Sequence, residues 1–243
     1  MDRGLYIAAS GMIADQVRQD QIANDLANVS TTGYKADRTA QRSFGDVLLS
    51  ERDTGQPVGR VGMGTEIAEI RTNIAPAPLK QTDESLDIGL EGTGFLAVQT
   101  AAGARYTRNG QLALGADGTL QTAGGNPVLS ADGQPIKITG QGDLVIGADG
   151  TITIGGQPQG TLAIVELTNV AKQGDLLFTG TAAASAPGTT TVRQGFLEGS
   201  GVNTAQALVD MMASMRAYES AQRVIHAIDD TLGRGIQAAA TGS

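Results

Sequence analysis

The 243-residue chain has no cysteine, no tryptophan and only one histidine. Without cysteine it has no disulfide staple, no thiolate nucleophile and no cysteine-held metal. Positive charge is also short: 17 Lys and Arg stand against 25 Asp and Glu, for a net charge of −8. No stretch clusters basic residues as phosphate backbones require, so a nucleic-acid partner is not expected. The acidity also argues against an anionic membrane surface and fits simple solubility. No run approaches 18 apolar residues, so no membrane insertion is expected. The opening MDRGLYIAASGMIADQ has one basic residue and no apolar stretch before Asp15, so a cleaved signal peptide is not expected either.

Glycine, by contrast, is abundant. Its 34 residues are about twice the ordinary share of roughly 7%. Without a strict period, this means many tight turns and hence many short strands.

Two segments carry helical periodicity, one at each end. Over residues 4–29, spacings of three and four pick out Leu5, Ala8, Met12, Asp15, Gln19, Ile22, Leu26 and Val29, six of them apolar. This is a narrow seam of coiled-coil type. Over residues 203–232 the same spacing gives Leu208, Met211, Met215, Tyr218, Gln222, Ile225, Asp229 and Leu232, again six of eight apolar. Asn203 is a suitable N-cap with Gln206 three residues on, and Gly233 and Gly235 are expected to end the helix. Neither seam can be buried by its own helix, so the two ends are expected to pair and to look for further neighbours.

Between them, residues 34–84 have no useful period and read as an extended connector, with a short helical turn suggested at 44–49. Residues 85–199 read as all-β. Alternating pairs such as Leu86/Ile88/Leu90, Leu112/Leu114, Ile136/Ile138, Leu144/Ile146 and Ile152/Ile154 are separated by turn signals. Asn109-Gly110, Asp117-Gly118, Asp132-Gly133 and Asp149-Gly150 favour hairpin turns with positive φ. GlyAlaAspGlyThr occurs at 115–119 and again at 147–151, each copy between two alternating runs. The fold class is therefore α+β: terminal helices packing together (residues 1–33 and 200–243), with an inserted all-β domain of short strands and hairpins.

Reactive groups do not converge. His226 lies alone late in the second helix. The Asp-Gly turns supply neither an EF-hand loop nor the calcium β-roll repeat. Gly92-Thr93-Gly94 lacks the third glycine of a dinucleotide fingerprint and is followed by a strand. Asp83-Glu84 and Asp229-Asp230 are ordinary surface carboxylate pairs. No catalytic, metal or cofactor site is expected.

Four ordered stretches carry a resemblance. Ile22-Ala23-Asn24-Asp25-Leu26-Ala27-Asn28 followed by Thr31-Thr32-Gly33-Tyr34-Lys35 closely resembles the N-terminal signature of the flagellar rod and hook proteins, with Asp25 for the usual Asn. Gly92-Thr93-Gly94-Phe95 and Tyr106-Thr107-Arg108-Asn109-Gly110 are similar to that family's central β segments. Gly195-Phe196-Leu197-Glu198-Gly199-Ser200-Gly201-Val202-Asn203 resembles its stretch before the C-terminal helix, with Gly201 for Asn. Met211, Arg216, Ala217, Tyr218 and Glu219 follow its helix pattern.

The resemblance implies a non-enzymatic structural subunit of the bacterial flagellar basal body. Such a subunit leaves through the flagellar export apparatus without leader cleavage. It polymerises with its own copies and other rod subunits into a hollow periplasmic driveshaft, its terminal helices forming the inner tube. The assembly interface is then expected at Leu5, Met12, Ile22, Leu26, Val29, Leu208, Met211, Met215, Tyr218, Ile225 and Leu232. The signature residues are Asn24, Leu26, Ala27, Asn28, Thr31, Gly33, Tyr34 and Lys35. The opening Met-Asp and the short stretch before Gly195 look more like the proximal than the distal rod type. A competing reading is a secreted β-rich adhesion protein with a coiled-coil stalk, which would form a small closed oligomer rather than an open tube.

Overall fold

The computed structural model describes residues 2–43, 45–50, 56–140, 142–183 and 190–241. Its contacts divide the chain into two units. One holds residues 1–27, 37–71 and 203–243, and the other residues 28–36 and 72–202.

The first unit holds both long helices, α1 (Asp2–Ala27) and α2 (Thr204–Thr241). Asn203 caps α2: its Oδ1 accepts the Gln206 N–H at 3.1 Å and its carbonyl the Ala207 N–H at 2.9 Å. A cap of this kind is worth about 1 kcal/mol. The Gln206 amide turns to Asp210 at 3.0 Å, so the capping box is one-sided. Contrary to expectation, Gly233 and Gly235 do not end α2. Neither adopts positive φ, and the run Ala238–Ala240 beyond them has the highest helix propensity.

The helices run antiparallel. Gly4 lies against Ile228, where a Cβ would sit 3.4 Å from the Ile228 side chain, and Ser214 Oγ donates to the Asp15 carbonyl at 3.1 Å. The described residues of this unit also form the strands β1 (Asp37–Ser43), β2 (Asp46–Ser50), β3 (Pro57–Gly62) and β4 (Thr65–Thr72). β1 pairs with β4, and β2 with β3 through Val47 opposite Val61. The stretch read as connector is thus partly laddered. The helical turn suggested at 44–49 is a strand over Asp46–Ser50, and Phe44 lies outside the described residues.

The described residues of the second unit are all strand and turn. It comprises β5 (Leu79–Gln81), β6 (Ile88–Glu91), β7 (Phe95–Thr100), β8 (Gly103–Thr107), β9 (Leu112–Leu114), β10 (Leu120–Thr122), β11 (Leu144–Ile146), β12 (Thr151–Ile154), β13 (Gln157–Thr161), β14 (Ile164–Gly174), β15 (Leu177–Ala183), β16 (Thr191–Gln194) and β17 (Phe196–Glu198). β14, β15, β8 and β7 close on one another around Phe95, Leu167 and Phe178. The two phenylalanine rings meet edge to face at 5.4 Å. The larger core gathers Ile88, Leu90, Leu112, Ile136, Ile146 and Ile152 with their neighbours. The inward members of the alternating pairs therefore form it, while Leu114 points out at 46% exposure.

The repeated pentapeptide is a repeated turn. In each copy the first glycine N–H donates to the threonine carbonyl, at 2.9 Å in Gly115–Thr119 and 2.8 Å in Gly147–Thr151. Each aspartate accepts both the amide and the hydroxyl of its threonine. Gly118 and Gly150 take φ of 77° and 83°, and each turn tips an antiparallel hairpin, β9–β10 and β11–β12. Asn109-Gly110 behaves otherwise. Gly110 does not adopt positive φ, and a Cβ there would lie 1.8 Å from the Ile88 carbonyl oxygen. Glycine is required for close approach to β6, not for a hairpin turn.

Candidate functional site: the helix faces and a buried ion-pair centre

Along α2 the less exposed positions are Ala207, Met211, Ser214, Tyr218, Ala221, Ile225, Ile228 and Leu232, with Asp210 beside Met211. This seam shares Met211, Tyr218, Ile225 and Leu232 with the sequence reading and replaces the rest with their neighbours. Leu208 and Met215 turn outward at 46% and 48% exposure. The substitutes are mostly small, and small side chains let two helix backbones approach. At 208 and 215 the sequence pattern favours the larger apolar residue next door; at 222 and 229 the regular spacing alone picks a polar neighbour. On α1, Ile22 is buried, while Leu5, Met12 and Leu26 are half-buried; Val29 lies just past the end of the helix.

The result is a helix pair whose seam mixes Ala207, Ser214 and Ala221 with larger side chains, while further large apolar side chains are left outside. Val209, Met212 and Val224 are exposed on α2, as are Tyr6 and Ile13 on α1. Tyr6 and Ile13 border an open hollow of about 300 Å³ that Met63 and Ile67 also line.

The signature residues of the first motif divide. Asn24 and Ala27 are exposed. Asn28 is half-buried, and its Oδ1 accepts the Thr31 hydroxyl at 3.2 Å. Gly33 has φ 69°, and a Cβ there would sit 2.6 Å from the Arg108 and Asn109 backbone. Tyr34 is buried, with the Lys172 ammonium 4.3 Å from its ring centroid. Lys35 is wholly buried.

Lys35 leads to a centre that the sequence reading did not single out. Three separate motifs each supply one of its charged groups. Glu198 Oε1 accepts from Lys35 Nζ at 2.7 Å and from the Ala77 N–H at 2.7 Å, while Oε2 accepts from Arg108 Nη1 at 3.2 Å. All three side chains are at most 1% exposed. Lys35 also donates to the Ala75 carbonyl at 2.7 Å, and Arg108 Nη2 to the Gly92 carbonyl at 2.7 Å. Arg108 Nε has no hydrogen-bond partner, but the guanidinium carbon lies 4.9 Å from the Phe95 ring centroid, a cation–π contact.

Burial pushes the Lys35 ammonium below the usual lysine range; Glu198 pulls it back, and Arg108 lowers it further. Arg108 is also lowered by burial and held up by Glu198. The centre thus places two cations on one carboxylate and dissolves the excess charge in backbone carbonyls. It holds chain, with no group poised to react. Its only trace in the sequence is that Lys35, Arg108 and Glu198 each sit inside one of the family-like stretches.

Paired terminal helices with outward apolar residues, and an inserted β unit whose motif residues knit backbone together, define a structural scaffold. Comparison with known proteins gives the family. Residues 5–35 match the description "Flagella basal body rod protein", residues 89–154 "Flagellar hook protein FlgE/F/G D1 domain", and residues 193–238 "Flagellar basal body rod FlgEFG protein C-terminal". The chain is 33% identical to the flagellar basal-body rod protein FlgG of Agrobacterium fabrum, over 94% of this chain and 96% of that protein. It is 35% identical to the flagellar hook-basal body complex protein FlhO of Bacillus subtilis over 57% of this chain, spanning only 58% of that relative's length. It is 34% identical to the flagellar basal-body rod protein FlgF of Caulobacter vibrioides over 57% of this chain and 55% of that protein. The chain belongs to the flagellar basal-body rod FlgEFG family, a family of non-enzymatic structural subunits that assemble with other rod subunits.

Proposed function

We propose that this subunit polymerises through its terminal helices into the helical, hollow section of the rod that transmits torque and passes exported subunits, after leaving the cell interior through the flagellar export apparatus. The observation that carries this reading is the set of large apolar side chains left on the outside of the helix pair, Leu208, Met212 and Met215 on α2 with Tyr6 and Ile13 on α1. Patches on two different helices of one unit suit a head-to-tail contact that does not close, which builds a filament rather than a closed oligomer. This favours the rod over the adhesion reading. Correspondence with FlgG over nearly the full length, against about half with FlgF, supports the distal type. We take the distal type over the proximal preference drawn from the opening Met-Asp and the stretch before Gly195. Immunogold labelling of a tagged copy in purified basal bodies tests the proposal. Label along the rod, on its hook side for the distal type, is expected; basal bodies without label would overturn it.

A further inference from the structure

We propose that the Lys35–Glu198–Arg108 centre is a clasp that makes the order of the chain segment after α1 conditional on the segment before α2. Residues 28–36 and 196–202 pair directly. The Gly33 N–H donates to the Glu198 carbonyl at 2.9 Å, and the Gly201 N–H to the Tyr34 carbonyl at 2.8 Å. The Lys35–Glu198 ion pair joins the same two segments, at positions 163 residues apart. Arg108 ties the same carboxylate to the β unit through Leu90 and Gly92.

The charges are what make this conditional. Well-packed apolar residues at the three positions would be as stable or more so, whereas removing one partner strands uncompensated charge in a dry site. An apolar junction would let residues 28–36 pack against the β unit in several registers, with or without residues 196–202. With Lys35 and Arg108 in place, that packing is unfavourable until Glu198 arrives, because two like charges cannot be buried together without an anion. The first segment therefore closes only when the last part of the β unit is in place, and in a single register. Closure is a late step that spans nearly the whole β unit, so loop-closure entropy also delays it.

Amide hydrogen exchange on the full-length chain tests the clasp, comparing wild type with Glu198→Gln and Lys35→Met. Glu198→Gln is expected to speed exchange at Gly33, on the opposite segment, by on the order of 100-fold or more. Core amides such as Leu120, Val128 and Ile136 should keep their protection. Lys35→Met leaves Arg108 and Glu198 paired, so it should act more mildly, but it should still speed exchange at Gly201 across the junction by roughly tenfold. Acceleration that is uniform across core and junction would show a merely stabilising contact and overturn the proposal. No acceleration on the opposite segment would overturn it equally. If Glu198→Gln does not fold, the cross-junction effect of Lys35→Met decides alone.

Discussion

Gly110→Ala separates two accounts of the same glycine. Asn109-Gly110 reads in sequence as a hairpin turn, where glycine supplies positive φ. In the structure it supplies the absence of a side chain. The new Cβ would sit 1.8 Å from the Ile88 carbonyl oxygen and 2.8 Å from its carbon. Ordinary contact is about 3.4 Å or more, so backbone must move by over an ångström. The movement strikes the Ile88 N–H to Gly110 carbonyl hydrogen bond, 3.0 Å long, and the Ile88 side chain in the centre of the larger core. Losing the bond costs about 1 kcal/mol, and forcing β6 away from its packing about 2 kcal/mol more. A loss of about 3 kcal/mol is a large part of a typical domain's stability of roughly 5–15 kcal/mol. Urea unfolding, read as a shift of midpoint at constant slope, measures it. Gly110→Asn distinguishes the causes. A positive-φ turn accepts Asn better than Ala, whereas a steric wall rejects Asn at least as strongly. Gly133, with φ 75° and open space around it, is the matching control; Gly133→Asn should cost under about 1 kcal/mol. If Gly110→Ala changes stability by less than about 1 kcal/mol, or if Gly110→Asn restores it, the close-approach account is wrong.

The remaining predictions are smaller. Gly11 lies in α1 with nothing near its missing side chain, so Gly11→Ala should raise stability by up to about 1 kcal/mol; a lower melting temperature would contradict the packing described. Met215→Asp, at an exposed position, should change the monomer's stability by no more than about 0.5 kcal/mol yet abolish motility. Ser214→Leu should do the reverse first, destabilising the α1–α2 contact by roughly 1–3 kcal/mol through overpacking; equal effects of the two in thermal unfolding would show the seam misplaced. The Asp117 carboxyl is held below its usual range chiefly by the Thr119 hydroxyl, and that of Asp149 chiefly by the Thr151 amide. A depressed folded pKa adds stability that is fully present above the unfolded value and is lost as pH falls through the folded one. The Asp117→Asn/Asp149→Asn double variant should therefore show a flatter loss of stability below about pH 4; an unchanged acid limb would sink the assignment.

Much of the architecture was legible because each element carried its own period and punctuation. The two seams gave the helices, Asn203 the start of α2, and the repeated pentapeptide two hairpin tips. What was not legible depended on neighbours distant in sequence. The α2 seam slid by one residue at half its positions, to Ala207, Ser214, Ala221 and Ile228, because a strict spacing of three and four does not fix which neighbouring residue turns inward. Gly110 was misread because its constraint comes from Ile88. The ion-pair centre went unseen because Lys35, Arg108 and Glu198 are each ordinary in their own motifs and become a unit only when the chain brings together positions 35, 108 and 198. The strands over 37–72 are not legible as strands because their alternation is weak.

The central claim is that this chain builds rod. The most direct test is to delete its gene and image the basal bodies by electron microscopy. Cells without it should be non-motile, with rods that stop short and carry no hook, and the wild-type copy should restore both. Intact rods bearing hooks and filaments in the deletion strain would contradict the account.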